Sequence, residues 1–204
     1  MPIVTLLRYI FFSLIYRCIR WIVIFISQLG LRIMGKTPHL EVAETIGDTA
    51  CHVINTVSRP LCFSFNVPKG LETELFGLRF PSPLTFASFK THTPTILMWL
   101  SMGIGGGCLK TIMPNERTGN LIPRLQELSI DGQYALVNAL GLPGPGIDGF
   151  LDSLGTQAYW QYNRPIGLSI GGNHIRDYSD LVRKTEQHLK QLSLSQYYYE
   201  LNIS

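Results

Sequence analysis

Residues 6–34 are apolar almost throughout, and their polar positions gather on one side of a helix. At about 100° per residue Ser13, Arg17, Arg20, Ser27, Gln28 and Arg32 share an arc of about 140°. Ile10 and Ile24 intrude on that arc, and Arg8 lies opposite it. The longest uncharged runs, 9–16 and 21–31, fall short of the roughly 18–20 residues that a spanning helix needs. Arg17 and Arg20 would each cost about 2.5–3.5 kcal/mol near the centre of a bilayer. The pattern predicts a helix lying in a membrane interface. A tilted span is the second reading, a cleaved presequence the third, and a helix buried in its own protein the fourth.

A second helical pattern follows Pro38. Leu40, Val42, Ile46, Ala50, Val53, Ile54 and Val57 recur at helical spacing, and Pro60 is expected to stop the helix. The linker "FSFNVPKG" (63–70) leads to a body with a different rhythm. "ELFGLRF" and "SPLTFAS" read as strands broken by Pro81 and Pro83. "TPTILMWLSMG" is helical, with Pro94 in its first turn and Gly103 beyond its end. "GGGCLKTIM" reads as a buried strand, and Asp131-Gly132 within "LQELSIDGQYAL" signals a hairpin. "GIDGFLDSLG" is a helix, "RPIGLSIGG" a strand, "DYSDLVRKTEQHLKQL" a helix with an Asp cap, and "YYYELNIS" a strand. Alternating helices and apolar strands predict an α/β fold with a parallel sheet and helices outside it.

Composition changes the picture in one place. The net charge of +3 is unevenly spread: residues 1–40 hold five basic residues and no acid, whereas 41–204 hold 12 basic and 14 acidic residues. The basicity belongs to the apolar N-terminus, which points to membrane lipid and gives no sign of a nucleic-acid partner. The four cysteines (Cys18, Cys51, Cys62, Cys108) show no metal-ligand or C-x-x-C spacing and read as reduced thiols.

In parallel α/β folds functional groups gather where strands end. Here those positions are Ala87 and Ser88, Lys110 and Thr111, Ser169 to Gly172, and Asn202. Lys110 ends an apolar strand, where its cation suits a phosphate, a carboxylate or an electron-rich ring; a lysine that merely snorkels from a strand end fits the position equally. Asn138 and Asn202 are amides among apolar residues, able to read the edge of a planar heterocycle or to satisfy backbone groups. His52, His92 and His188 have no partners in sequence. No Ser-His-Asp set or metal cluster emerges.

Together these segments resemble the dihydroorotate dehydrogenase family, flavin enzymes built on a (β/α)8 barrel. "FGLRFPSPLTFAS" is similar to the family's opening hairpin and first barrel strand. "LKTIMPNERTGNLIPRLQEL" is similar to its stretch with a strand-end Lys-Ser/Thr, then an Arg, Gly-Asn and Pro-Arg. "VNALGLPGPGIDGFL" resembles its substrate loop and "ELNIS" its fourth-strand signature, four motifs in family order over residues 74–204. The match departs at Phe89, where the family places Gly. Lys110-Thr111 and "NALGL" resemble the soluble branch, whereas the lipophilic N-terminus resembles the membrane-bound, quinone-reducing branch.

The resemblance implies FMN, contacted by Ala87, Ser88, Lys110, Thr111 and Asn202, and dihydroorotate or orotate, held by Lys110, Asn138, Gly141, Leu142 and Asn202. It implies oxidation of dihydroorotate to orotate in pyrimidine biosynthesis, with a membrane quinone as acceptor, at a bacterial cytoplasmic or mitochondrial inner membrane. Two alternatives stand beside it: a non-catalytic barrel relative binding a ligand at the membrane, and another FMN barrel oxidoreductase acting on a planar ring. The expected organisation is a membrane-associated helix (1–36), a second helix and linker (37–70), and the first half of a (β/α)8 barrel (71–204). Four of the eight strands that close a barrel are counted, so the chain is expected to be the front of a larger protein. The family's catalytic base is then expected just after Ser204, and the 204-residue chain alone is expected to be inactive.

Overall fold

The computed structural model describes residues 3–62 and 64–203, apart from some side chains in the first two helices. In chain order it forms α1 (Ile3–Ile33), α2 (Glu41–Cys62), β1 (Thr73–Leu75), β2 (Leu78–Phe80), β3 (Thr85–Phe86), α3 (Thr93–Ser101), β4 (Gly106–Ile112), β5 (Leu125–Ile130), β6 (Gln133–Asn138), α4 (Gly146–Leu154), a 3-10 turn (Ala158–Tyr162), β7 (Ile166–Gly171), α5 (Ile175–Gln191) and β8 (Tyr197–Asn202). Two compact units result, residues 1–50 with 120–140 and residues 51–119 with 141–204.

In the first unit β5 and β6 form an antiparallel hairpin, Leu125 opposite Asn138 and Ile130 opposite Gln133. Asp131 and Gly132 make the turn with φ of 49° and 76°, the left-handed pair that a two-residue hairpin requires and that Asp-Gly tolerates. The hairpin is tied to the start of α2: Leu40 N donates to Leu125 O at 2.9 Å, and Arg124 N donates to the Glu41 carboxylate at 3.1 Å. Arg20 Nη2 of α1 lies 4.0 Å from Glu127 Oε1 on β5.

The second unit carries the sheet β3-β4-β7-β8, parallel at every junction. Its connections contain α3, α4 and α5, as the strand–helix alternation requires. One face packs on those helices: Leu109 and Ile112 of β4 and Ile166, Leu168 and Ile170 of β7 join Ile96, Leu100, Phe150, Leu154, Leu181 and Leu189 in one core. The 3-10 turn adds Tyr159 to it. Gly107 is needed because Phe86 of β3 lies across β4: an added Cβ would fall 2.3 Å from the ring.

Three details correct the sequence reading. Helix α2 does not stop at Pro60 but runs on to Cys62; a proline removes one hydrogen bond and crowds one carbonyl a turn back, which weakens a helix without always ending it. "ELFGLRF" is not one strand but the hairpin β1–β2, turned by Phe76 and Gly77 at φ 52° and 76°. Asp177 is not the cap residue of α5, which starts at Ile175. It sits in the first turn and reaches back, its carboxylate accepting from Asn173 N at 2.7 Å and His174 N at 3.0 Å, the return half of a capping box.

Candidate functional site

The carboxyl ends of the four parallel strands carry the candidate chemistry. On β4 the pairing with β7 is irregular: Leu109 faces Leu168 but Ile112 faces Ile170. Three steps on one strand match two on the other, so β4 holds a β-bulge at Lys110-Thr111. Regular alternation would place Leu109 and Thr111 on the same face. The bulge instead returns Ile112 to the helix-covered core and gives Thr111 to the opposite face, where Ser169 lies between Leu168 and Ile170. Bulges recur beside active sites because they re-aim a side chain in this way.

On that opposite face the polar groups link. Thr111 Oγ1 is 3.0 Å from Ser169 Oγ, both buried, and Asn202 Nδ2 donates to Thr111 Oγ1 at 2.9 Å. Tyr178 of α5 donates its hydroxyl to Asn202 O at 2.6 Å, holding the end of β8. Gly171 leaves room for the array, because a Cβ there would fall 2.7 Å from Thr111 Cγ2 and 2.8 Å from Met113 Sδ. Deeper along this face Cys108 is buried beside Glu200 and Tyr198. Burial first, then the Glu200 carboxylate, pushes the Cys108 thiol far up, so it is a thiol rather than a nucleophilic thiolate. Burial and the same neighbours push Tyr198 up to about 12.

The loops above the strand ends converge as well. Arg117 and Gly144 exchange both backbone hydrogen bonds at 2.9 Å, and Arg117 Nη2 donates to Asn173 Oδ1 at 2.7 Å. Lys110, Thr111, Met113, Leu142, Gly144 and Phe150 line a cavity of about 20 Å³, little more than one water needs.

The expected site residues fall as follows. Lys110, Thr111 and Leu142 line the same cavity, and Asn202 joins Thr111 by hydrogen bond. Gly141 and Leu142 are in the loop before α4, both left-handed with φ of 74° and 52°. Ala87 and Ser88 directly follow β3 in a tight turn, Phe89 N donating to Ala87 O at 2.7 Å. Asn138 ends β6 in the other unit and is exposed. Ser204, and the position after it, lie outside the described residues. Sequence reasoning placed Ser169 at a strand end but assigned it no partner, and it missed the Arg117–Asn173 link. Residues 58 and 56 positions apart in these two pairs meet only through strand register and loop return.

Residues 70–204 match the family described as dihydroorotate dehydrogenase. The chain belongs to that family. Among its relatives, a dihydroorotate dehydrogenase B (NAD(+)) catalytic subunit from Pyrococcus horikoshii is 35% identical over 122 residues, 59% of this chain and 38% of the relative. A dihydroorotate dehydrogenase (quinone) from Nostoc sp. is 30% identical over 156 residues, 74% of this chain and 39% of the relative. The chain thus spans about two-fifths of the length of these curated relatives. The crystal structure of the Eimeria tenella dihydroorotate dehydrogenase bound to ferulenol superposes with a TM-score of 0.60 at 21% identity, over 78% of this chain and 43% of that one. That likeness concerns the fold: the parallel sheet is part of a (β/α)8 barrel preceded by N-terminal helices.

The dihydroorotate dehydrogenase family generally uses FMN, and the donors present would suit such a group. A strand-end cation (Lys110), a hydroxyl (Thr111) and an amide (Asn202) are what the edge of an electron-rich, hydrogen-bonding ring calls for. The groups of three or more His, Cys, Asp and Glu that could hold a metal are absent among the described residues.

Proposed function

We propose that this chain is the front part of an FMN-dependent dihydroorotate dehydrogenase that passes electrons to a membrane quinone. One observation carries the reading: Lys110, Thr111 and Asn202 meet at the carboxyl ends of parallel strands, within the segment that matches the family. FMN, when bound, supplies a two-electron acceptor for oxidation of dihydroorotate to orotate. Lys110 holds a positive charge where negative charge grows on the acceptor ring. Thr111, fixed by Ser169, orients the Asn202 amide toward a pyrimidine-type ring. Gly141 and Leu142 add substrate contacts from the loop before α4, and Ala87 and Ser88 approach the cofactor from the end of β3.

Both acceptor types occur among the relatives, one named for NAD(+) and one for quinone. The N-terminus favours quinone here. Segment Ser13–Ile33 is long and apolar enough to cross a membrane, and a lipid-dissolved acceptor requires membrane contact. On this reading residues 1–36 attach the protein to a bacterial cytoplasmic or mitochondrial inner membrane, 37–70 form the connecting helix, and 71–204 begin the barrel.

The test grafts residues 70–204 onto the remainder of the Nostoc relative and follows flavin reduction by dihydroorotate in stopped flow. Reduction is expected with the native graft, and Lys110→Ala is expected to slow it by about 10²–10³-fold, the usual loss of one preorganised charge-stabilising group. A folded, flavin-loaded Lys110→Ala graft within a few-fold of the parent refutes the role of Lys110. A loaded graft reduced by dihydrouracil but not dihydroorotate refutes the substrate.

A further inference from the structure

We propose that the outer edge of β6 is the docking surface for a second copy of this chain, the two hairpins joining across a two-fold axis at Leu136 into one four-stranded antiparallel sheet. The surface belongs to the first unit alone and is independent of the flavin chemistry.

The two edges of the hairpin are unlike. In a two-residue hairpin the pair flanking the turn, here Ile130 and Gln133, exchanges both main-chain bonds, and so does every second pair after it. Ala139 N, donating to Arg124 O at 2.8 Å, continues that alternation. Gln133, Ala135 and Val137 therefore direct their N–H and C=O groups to β5, while Tyr134, Leu136 and Asn138 point theirs outward. The outer edge of β5 is occupied and guarded. Leu125 O accepts from Leu40 N at 2.9 Å, and β5 carries the charge of Glu127, 4.0 Å from Arg20. Strand β6, "QYALVN", has no charge, no proline and no bulge, the features that keep strand edges from pairing. All its residues but Ala135 are exposed.

Main chain and side chains together select the occupant. Lipid cannot satisfy a row of open N–H and C=O groups, whereas an added strand can. Strand β6 fits itself. Laid antiparallel about Leu136, it sets Leu136 against its own copy and Tyr134 against the copy's Asn138, with about six main-chain bonds. On the opposite face Ala135 meets the copy's Val137, and no charge is brought against a like charge. Leu128, Ile130, Tyr134, Leu136 and Val137 are between 43% and 86% exposed, on the order of 500 Å² of apolar side chain, the size of patch that marks an interaction site. With the main chain of β6 added, this approaches the ~800 Å² per partner of a standard stable interface. The strands that complete a barrel join the parallel sheet at β3 and β8, not the β5–β6 sheet.

The test uses the full chain in mild detergent, its protein mass read by light scattering after gel filtration. The mass of two chains is expected. Leu136→Lys sets like charges face to face on the axis and is expected to halve that mass, as is Leu136→Glu. Mixing the two variants is expected to restore the dimer, because opposite charges then meet; the restoration also shows that both variants fold. With Cys18, Cys51 and Cys62 replaced by Ser, Leu136→Cys is expected to form a covalent dimer under a mild oxidant, its two Cα atoms about 5.5 Å apart. Tyr134→Cys, offset from its own copy by four residues or about 14 Å, is expected not to. A monomeric parent overturns the proposal, and so does a dimer that survives Leu136→Lys or a mixture that stays monomeric. Cross-linking of Tyr134→Cys as readily as Leu136→Cys overturns the two-fold at Leu136.

Discussion

Replacing Thr111 by Val isolates the hydroxyl array at the strand ends. Valine has almost the same shape and keeps the Cγ2 packing against Gly171, so only the oxygen is lost. That oxygen serves Ser169 Oγ at 3.0 Å and Asn202 Nδ2 at 2.9 Å, and Ser169 is fully buried. Stranding a buried hydroxyl costs about 1–3 kcal/mol, and losing the second bond adds about 0.5–1.5 kcal/mol. Thr111→Val is therefore expected to destabilise the chain by about 2–3 kcal/mol. Ser169→Ala, which leaves Thr111 Oγ1 still bonded to the Asn202 amide, is expected to cost about 0.5–1.5 kcal/mol. The double variant removes both hydroxyls and leaves neither stranded, so its cost falls below the sum by about 1 kcal/mol. The assay is urea denaturation of the four proteins by circular dichroism, with equal slopes required before midpoints are compared. Additive costs, or a Thr111→Val midpoint equal to the parent's, refute the array.

Gly171→Ala, which pushes a Cβ into Thr111 Cγ2 and Met113 Sδ, is expected to cost about 1–3 kcal/mol by overpacking, read as a lowered urea midpoint. Leu168→Ala, at a fully buried β7 position in the core, is expected to cost about 2–5 kcal/mol; a cost under about 1 kcal/mol in the same assay contradicts the core assignment. Tyr198 in the fold is held up to about 12, by burial first and then by Cys108 and Glu200, above the ordinary 10. Its contribution is therefore complete below pH 10 and lost as pH rises toward 12. Tyr198→Phe should flatten that part of the stability–pH curve, and an unchanged alkaline slope would show that Tyr198 is not responsible.

Local chemistry was legible in the chain before any contact was known. Asp131-Gly132 specifies its hairpin because few residues accept two successive left-handed conformations. Pro94 and Gly103 bracket α3, and four apolar strands separated by helices require a parallel sheet. Lys110 and Asn202 could be singled out because a polar residue at the end of an apolar strand needs a reason. Non-local register decided the rest. Residues 109–112 do not reveal that β4 slips by one position against β7, yet that slip turns Thr111 from the helix side to Ser169. The polar arc of α1 was visible, but a helical wheel has no inside or outside. Only the packing of Ser27 and Leu31, with Arg20 facing Glu127, turns that arc toward the protein and leaves the isoleucines exposed. Periodicity and turn chemistry act over a few residues, so sequence reports them directly. Facing and pairing depend on residues up to 107 positions apart, as Arg20 and Glu127 are, and exist only once the chain has folded.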